Sequence, residues 1–283
     1  MSWQILLIIS IIFLSFNGLF HKSLLKNDKS DPRAQAIVFL GLGGFISILI
    51  ALLRGKLQLE FSPSLIINFS VLATFATIAY VLKYRGFQLI NASEVVIFST
   101  TSKFWNVVGA SIFLHEAITA QKIIGTLIIL LGITVTMYVD QKFKINKGIF
   151  FTLLAALLFG LTDINGYYIL QTMDASNYQI YFYLLPVFAL LLVQPSVLIK
   201  VSYYFKLGRA VKVVALSLFD TLGMLALFFA YQMGGKASVI SPLSATKVIV
   251  TVVLAIIFLK ERDNITKKLV GSVIAVIGVV LLL

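Results

Sequence analysis

The chain has 283 residues, 60% of them hydrophobic and only 12% charged, with a mean hydropathy of +1.02 and a net charge of +12. A soluble protein of this length needs far more polar surface to cover its core, so a water-soluble globular domain is excluded. The lack of cysteine excludes disulfides and thiol chemistry. No basic stretch is long or aromatic-interleaved enough for a nucleic-acid partner.

The apolar residues come in long runs rather than in one periodic face, and runs of about 18 residues or more are membrane helices. Between charged, proline and glycine breaks, ten spans are predicted in chain order: 3–20, 35–53, 63–82, 94–114, 122–139, 149–170, 178–199, 213–232, 237–258 and 267–283. The first has no basic residue before Trp3 and no small-residue cleavage site after it, so it reads as a span and not as a signal peptide. The linker Gln141–Lys147 divides the chain into residues 1–140 and 148–283, with five spans in each part. Five is odd, so the second half enters the membrane inverted relative to the first.

The halves also share sequence. Ala92-Ser93, Lys103, Phe113-Leu114-His115-Glu116, Gly125 and Gly132 in the first are matched by Ala237-Ser238, Lys247, Phe258-Leu259-Lys260-Glu261, Gly271 and Gly278 in the second. Seven residues separate the two closing glycines in both copies. Phe16-Asn17-Gly18 and Ile164-Asn165-Gly166 extend the match to the first helix of each half. Glycines and alanines at helix-packing spacing read first as close contacts between backbones.

Four ionisable residues fall well inside predicted spans: Lys103, Asp163, Asp220 and Lys247. A charge at the bilayer centre costs roughly 2.5–3.5 kcal/mol on insertion scales, so all four are expected to face the bundle interior. Lys103 has Ser99, Thr100 and Asn106 on its helical face, and Lys247 has Ser244 and Thr251. Ser70, Thr74 and Thr77 form a weaker stripe on the third span. Pro242, one turn before Lys247, is expected to free carbonyls toward a cavity. The plain alternative is that two lysines and two aspartates form buried ion pairs that only hold helices together. His21 and His115 lie near helix ends with no neighbours at metal-ligand spacing, so no metal site and no cofactor is expected.

Ten helices, a Phe-Leu-x-Glu end on the fourth and ninth, and a glycine-rich closing helix after each resemble the EamA-like transporters of the drug/metabolite transporter superfamily. The run Phe258-Leu259-Lys260-Glu261-Arg262 followed by Gly271 and Gly278 carries the resemblance most specifically. It implies an all-helical, multi-pass protein of the plasma membrane that moves a small metabolite, with Glu116 and Glu261 as structural marks. The leading expectation is a secondary transporter of an anionic or zwitterionic metabolite working by alternating access. In it Lys103, Lys247, Ser99, Thr100, Asn106, Ser244 and Thr251 bind substrate, and Asp163 or Asp220 is the candidate carrier of a coupling proton. The alternative is a cation or drug exporter of the small-multidrug type, but that chemistry needs a carboxylate early in the chain and Trp3–Phe20 has none. A membrane enzyme needs convergent His, Cys or acidic groups near one interface, and the sequence offers no such set. Nothing resembles a phosphate-cradling loop for ATP.

Of the 23 Lys and Arg residues, seventeen fall in odd-numbered loops and four in even-numbered ones. Basic loops stay cytoplasmic, which places both termini outside. The family resemblance implies cytoplasmic termini instead. The charge acts directly on insertion, so we follow it. A periplasm-active reporter fused to the C-terminus should therefore be active and a cytoplasm-active one silent; the reverse pattern would overturn this orientation.

Overall fold

The computed structural model describes residues 2–25, 30–58, 63–113, 119–139, 142–143, 146–235, 240, 243–244, 246–261 and 263–281. Almost all of them are helical. In chain order the helices are α1 Trp3–Ser15, α2 Asn17–Leu25, α3 Pro32–Leu53, α4 Ile66–Leu89, α5 Ala92–Ser99, α6 Thr101–Phe113, α7 Ala120–Met137, α8 Lys147–Leu170, α9 Ala175–Val193, α10 Leu198–Val201, α11 Leu207–Gln232, α12 Lys247–Phe258 and α13 Ile265–Leu281. A two-residue antiparallel ladder pairs Tyr138–Val139 with Lys142–Phe143, where the sequence places the linker between halves.

Local chemistry sets the helix starts. Asp31 sits in extended backbone before Pro32 and accepts the Arg33 N–H at 2.8 Å, so α3 begins with an acidic cap and a proline at its first position. Asp174 caps α9 by accepting the Ser176 N–H, and Asn146 caps α8 by accepting the Ile149 N–H. Burial opposes ionisation of Asp31. Hydrogen bonds from Lys200 and from the Arg33 backbone outweigh it and hold the carboxyl below its usual range. The same opposition at Asp174 is outweighed by Ser176 and by Arg54, with the same result.

Among the described residues, six segments are long and apolar enough to cross a membrane: Trp3–Leu25, α3, α4, α8, α9 and α11. Large apolar side chains cover the outside, with Leu53, Leu192 and Leu207 exposed by 85% or more. Such a surface is stable against lipid and not against water.

The helices pair antiparallel. In α3 and α9, Asp31 meets Lys200 at 2.7 Å at one end, Gly43 faces the Tyr183 ring midway, and Arg54 meets Asp174 at 3.2 Å at the other end. Each helix thus has its N-cap aspartate neutralised by a cation from beyond its partner's C-terminal end. The α1–α2 segment runs along α11, and α4 runs along α8 in the same manner. The tightest pair is α7 with α13. A Cβ on Gly132 would lie 2.5 Å from the Ala275 nitrogen and 2.6 Å from the Gly271 carbonyl oxygen. A Cβ on Gly278 would lie 2.5 Å from the Ile129 nitrogen and 2.6 Å from the Gly125 carbonyl oxygen. The equal glycine spacing in the two copies thus has one cause: each helix presents a glycine to the backbone of the other.

The first span runs on to Leu25 and the eighth begins at Leu207, both longer than expected, and two other ends differ for an instructive reason. The third span does not close at 82 but continues to Leu89, carrying Lys83 and Arg85 into the helix. Taking a lysine as the end of a span assumes that its charge belongs in bulk water, whereas Lys83 points into the bundle. The seventh span is Ala175–Val193 rather than 178–199, because the chain leaves the helix at Gln194 and turns through short helical pieces up to Phe205.

At Gly132 and Gly278 the clashing atoms are backbone, so neither helix can yield without separating. Gly132→Ala and Gly278→Ala should each lower stability by about 1–3 kcal/mol, the usual cost of overpacking, seen as a drop in apparent Tm in detergent. A wild-type Tm for both would show that these contacts are not made.

Candidate functional site

The helices that carry Lys103 and Lys247 are both interrupted, and by the same device. At Thr100 the backbone switches to tighter bonding, with the Thr100 N–H donating to the Ile97 carbonyl and the Lys103 N–H to the Thr100 carbonyl, and α5 gives way to α6. At Thr246 the N–H donates to the Leu243 carbonyl, and the Ile249 N–H donates to the Thr246 carbonyl. Both threonine hydroxyls also donate within their own turn, to Ile97 and to Leu243. The first helix breaks as well, at Phe16 between α1 and α2. Irregular backbone at membrane depth is tolerated where it lines a cavity.

These breaks surround a central cavity of about 170 Å³. Its wall includes Asn17 and His21 from α2, Tyr80, Lys83 and Phe87 from α4, and Ser99, Thr100, Ser102 and Lys103 around the α5–α6 break. Asp163 and Phe159 enter from α8, Asp220 from α11, and Lys247 and Thr251 from α12. All four charged residues singled out in the sequence therefore meet in one space, together with Lys83, which the sequence reading assigned to a loop.

The charges are unevenly matched. Asp163 lies 3.7 Å from the Lys103 ammonium and accepts from Asn106 Nδ2 at 3.2 Å. Asp220 is held by two neutral donors: Asn17 Nδ2, and the Tyr183 hydroxyl at 2.6 Å. Lys83 stands 5.4 Å from the centre of the Phe159 ring, a cation–π contact. Among the described residues neither Lys83 nor Lys247 has a carboxylate within 4.0 Å. His21 is buried, stacked on Phe87 and tilted against Tyr84. The Gln35 side-chain amide and His21 Nδ1 lie 2.9 Å apart in a buried hydrogen bond.

The other sequence candidates divide between the cavity wall and positions behind it. Asn106 stands behind the wall and contacts Asp163, and Ser244 is buried without lining the cavity. Ser99 and Thr100 line it, but their hydroxyl protons go back to the Val95 and Ile97 carbonyls. Thr251 donates to the Ser15 carbonyl at 2.8 Å and so ties α12 to the end of α1. Asn165 donates to the Asn68 carbonyl between α8 and α4. On α4 the expected stripe of Ser70, Thr74 and Thr77 does not reach the cavity. Ser70 and Thr74 are exposed, and Thr77 donates to the Ala73 and Pro186 carbonyls. The side of α4 that faces inward carries Tyr80, Lys83 and Phe87, at i, i+3 and i+7. That spacing was the signal for Lys83, hidden by the convention that a lysine ends a span. His115, Glu116, Ala237, Ser238, Pro242 and Arg262 lie outside the described residues.

Antiparallel apolar helices around a charged internal cavity define a multi-pass membrane protein of the transporter class. The sequence profile of the EamA-like transporter family matches residues 1–138 and again residues 146–283, and the chain belongs to that family, within the drug/metabolite transporter superfamily. A crystal structure described only as that of a protein is similar over 99% of this chain and 95% of its own, with a TM-score of 0.72 at 13% identity, which shows the shared fold. It is one of 28 chains of solved structures that match. No curated protein matches the sequence.

The Tyr183–Asp220 hydrogen bond joins α9 to this cluster. Tyr183→Phe should lower apparent Tm by the equivalent of about 1.5–3 kcal/mol, the range for a hydrogen bond to a charged group. In an Asp220→Asn background the same change should cost much less. Equal costs in both backgrounds would mean that the phenol does not depend on the carboxylate.

Proposed function

We propose that this is a secondary transporter of the plasma membrane that carries a small anionic or zwitterionic metabolite by alternating access around the central cavity. The observation that carries the substrate class is the pair Lys83 and Lys247: two ammonium groups face the cavity without a carboxylate within 4.0 Å among the described residues, while both aspartates have their own donors. A buried cation is costly unless something neutralises it. A carboxylate or similar group on the substrate does so through charge-assisted hydrogen bonds. Lys103 is partly occupied by Asp163, and its role is to position that carboxylate and to add to the positive field.

The reading includes ten spans as two inverted five-helix halves, residues 1–140 and 148–283, joined by 141–147. Several observations support it. Beyond the six long segments, this reading counts the α5–α6 pair, α7, the segment ending in α12, and α13 as four further crossings. The antiparallel pairs α3–α9 and α7–α13 each join corresponding helices of the two halves, and the α1–α11 contact corresponds to the α8–α4 contact. Antiparallel corresponding helices require a two-fold axis lying across them, in the plane of the membrane. Removing Lys83 from the loop charges leaves the bias toward odd-numbered loops in place.

Asp220 is the stronger candidate for carrying a coupling proton, because both of its hydrogen-bond partners are neutral while Asp163 already has an ammonium beside it. Ser99, Thr100 and Thr251 line the path as acceptors and as packing, and Asn106 and Ser244 support it from behind.

A thermal-shift screen of purified protein against amino acids, organic acids, sugar phosphates and nucleosides identifies the ligand, since binding to the folded state raises apparent stability. In proteoliposomes, Lys247→Met and Lys83→Met should each weaken uptake of an anionic or zwitterionic ligand about 10- to 100-fold, the worth of one charge-assisted hydrogen bond. Asp220→Asn should blunt the response to a pH gradient. Wild-type uptake in both lysine variants would return the lysines to a structural role and remove the anionic substrate with it.

A further inference from the structure

We propose that the Glu261 carboxylate is a latch: it ties the start of one lysine-bearing helix to the end of the other, and it lets go when the cavity opens toward residues 90–91 and 259–264. This rests on the transporter reading and concerns how that same cavity is closed on one face.

Glu261 follows the C-terminal end of α12, the helix of Lys247, and its side chain reaches the first turn of α5, which leads through the Thr100 break to Lys103. The Ala92 N–H donates to Oε1 at 2.7 Å. The Ser93 N–H donates to Oε2 at 3.1 Å, and the Ser93 hydroxyl donates to the same oxygen at 2.5 Å. Ala92, Ser93 and Glu261 are all buried. The first N–H groups of a helix have no partner within it and form the positive end of its dipole, so an anion placed there is held strongly. On the same face Lys22 Nζ donates to the Phe87 carbonyl at 2.8 Å and to the Ile90 carbonyl at 2.5 Å. The turn from α4 to α5 is thus gripped by a cation on its carbonyl side and by an anion on its N–H side. A path from the cavity to this face must part α5 from α12, and Glu261 is the side chain that spans them.

Two features show that this contact is not built for stability alone. Lys260, next to Glu261, has φ 56°, a left-handed conformation costly for a residue with a long side chain. Lys268, 2% exposed, lies 4.0 Å from Glu261 Oε2 yet makes no hydrogen bond through Nζ among the described residues. An incompletely satisfied buried charge beside strained backbone raises the closed state toward its alternative. A contact optimised as a permanent pin would have shed both costs. The sequence also writes the same components once more, Glu116 and Ala237-Ser238, at the same distance of 145 positions from Glu261 and from Ala92-Ser93; these lie outside the described residues.

The chain has no cysteine, so one can be placed as a clean reporter. Met224→Cys, in the cavity wall on α11, is labelled with a membrane-impermeant maleimide in right-side-out and in inside-out vesicles. Adding Glu261→Gln should raise the labelling rate from the Glu261 face roughly tenfold or more and lower it from the opposite face, because a charge-assisted contact is lost from one state only. Ser93→Ala leaves the carboxylate and Lys268 together and should give a smaller change in the same direction. It decides the matter where Glu261→Gln does not reach the membrane. Labelling that stays unchanged in sidedness while Tm falls would make Glu261 a structural pin and overturn the latch alone. A cysteine sealed from both faces in every variant would overturn the latch and the transport reading together.

Discussion

A charge inside a membrane has to be answered by something, and most of this structure follows from how that is done. Lys83, Lys103, Asp163, Asp220 and Lys247 share one central space. None is tolerable against lipid at roughly 2.5–3.5 kcal/mol each, so helices α4, α6, α8, α11 and α12, which carry them, must turn these faces toward one another. Their opposite faces then carry the leucine, isoleucine and phenylalanine side chains that meet the bilayer. The cavity is the consequence of keeping five charged groups together and away from lipid.

The aspartates and lysines are answered differently, and the difference gives the cavity its chemistry. Asp163 has an ammonium and an amide, and Asp220 has an amide and a phenol. Lys83 has, among the described residues, an aromatic face and no carboxylate within 4.0 Å. Buried ion pairs that serve packing alone would be matched one to one, whereas here there are three lysines to two carboxylates. The surplus positive charge is what a substrate anion would meet.

Charge complementarity also governs the ends of the helices. Asp31 and Asp174 cap α3 and α9 and are each met by a cation from just beyond the partner helix's C-terminal end, while Glu261 caps α5 from across the bundle. In the first two cases the capping residue belongs to the helix it caps, so the bond persists whatever the bundle does. Glu261 belongs to another element, and that bond can only last while the two elements stay together.

The sequence by itself determined the solvent, the helical class, the repeat and four of the five central charges, because these depend on composition and on linear spacing. The glycines seven apart in each copy announced a close helix contact; only the tertiary structure showed that Gly132 and Gly278 each face the backbone of the other closing helix. Span ends were less legible. A lysine looks the same in sequence whether it ends a helix at the lipid headgroups or points inward from its middle, so Lys83 was missed while α4 ran on to Leu89. Hydroxyls were overvalued for a related reason: Ser99, Thr100 and Thr251 share a face with the lysines, but their protons are taken by nearby carbonyls at helix breaks and contacts. Tyr183 as the partner of Asp220, and Glu261 as the cap of α5, join residues 37 and 169 positions apart. Such pairings follow from how helices pack, and no local pattern encodes them.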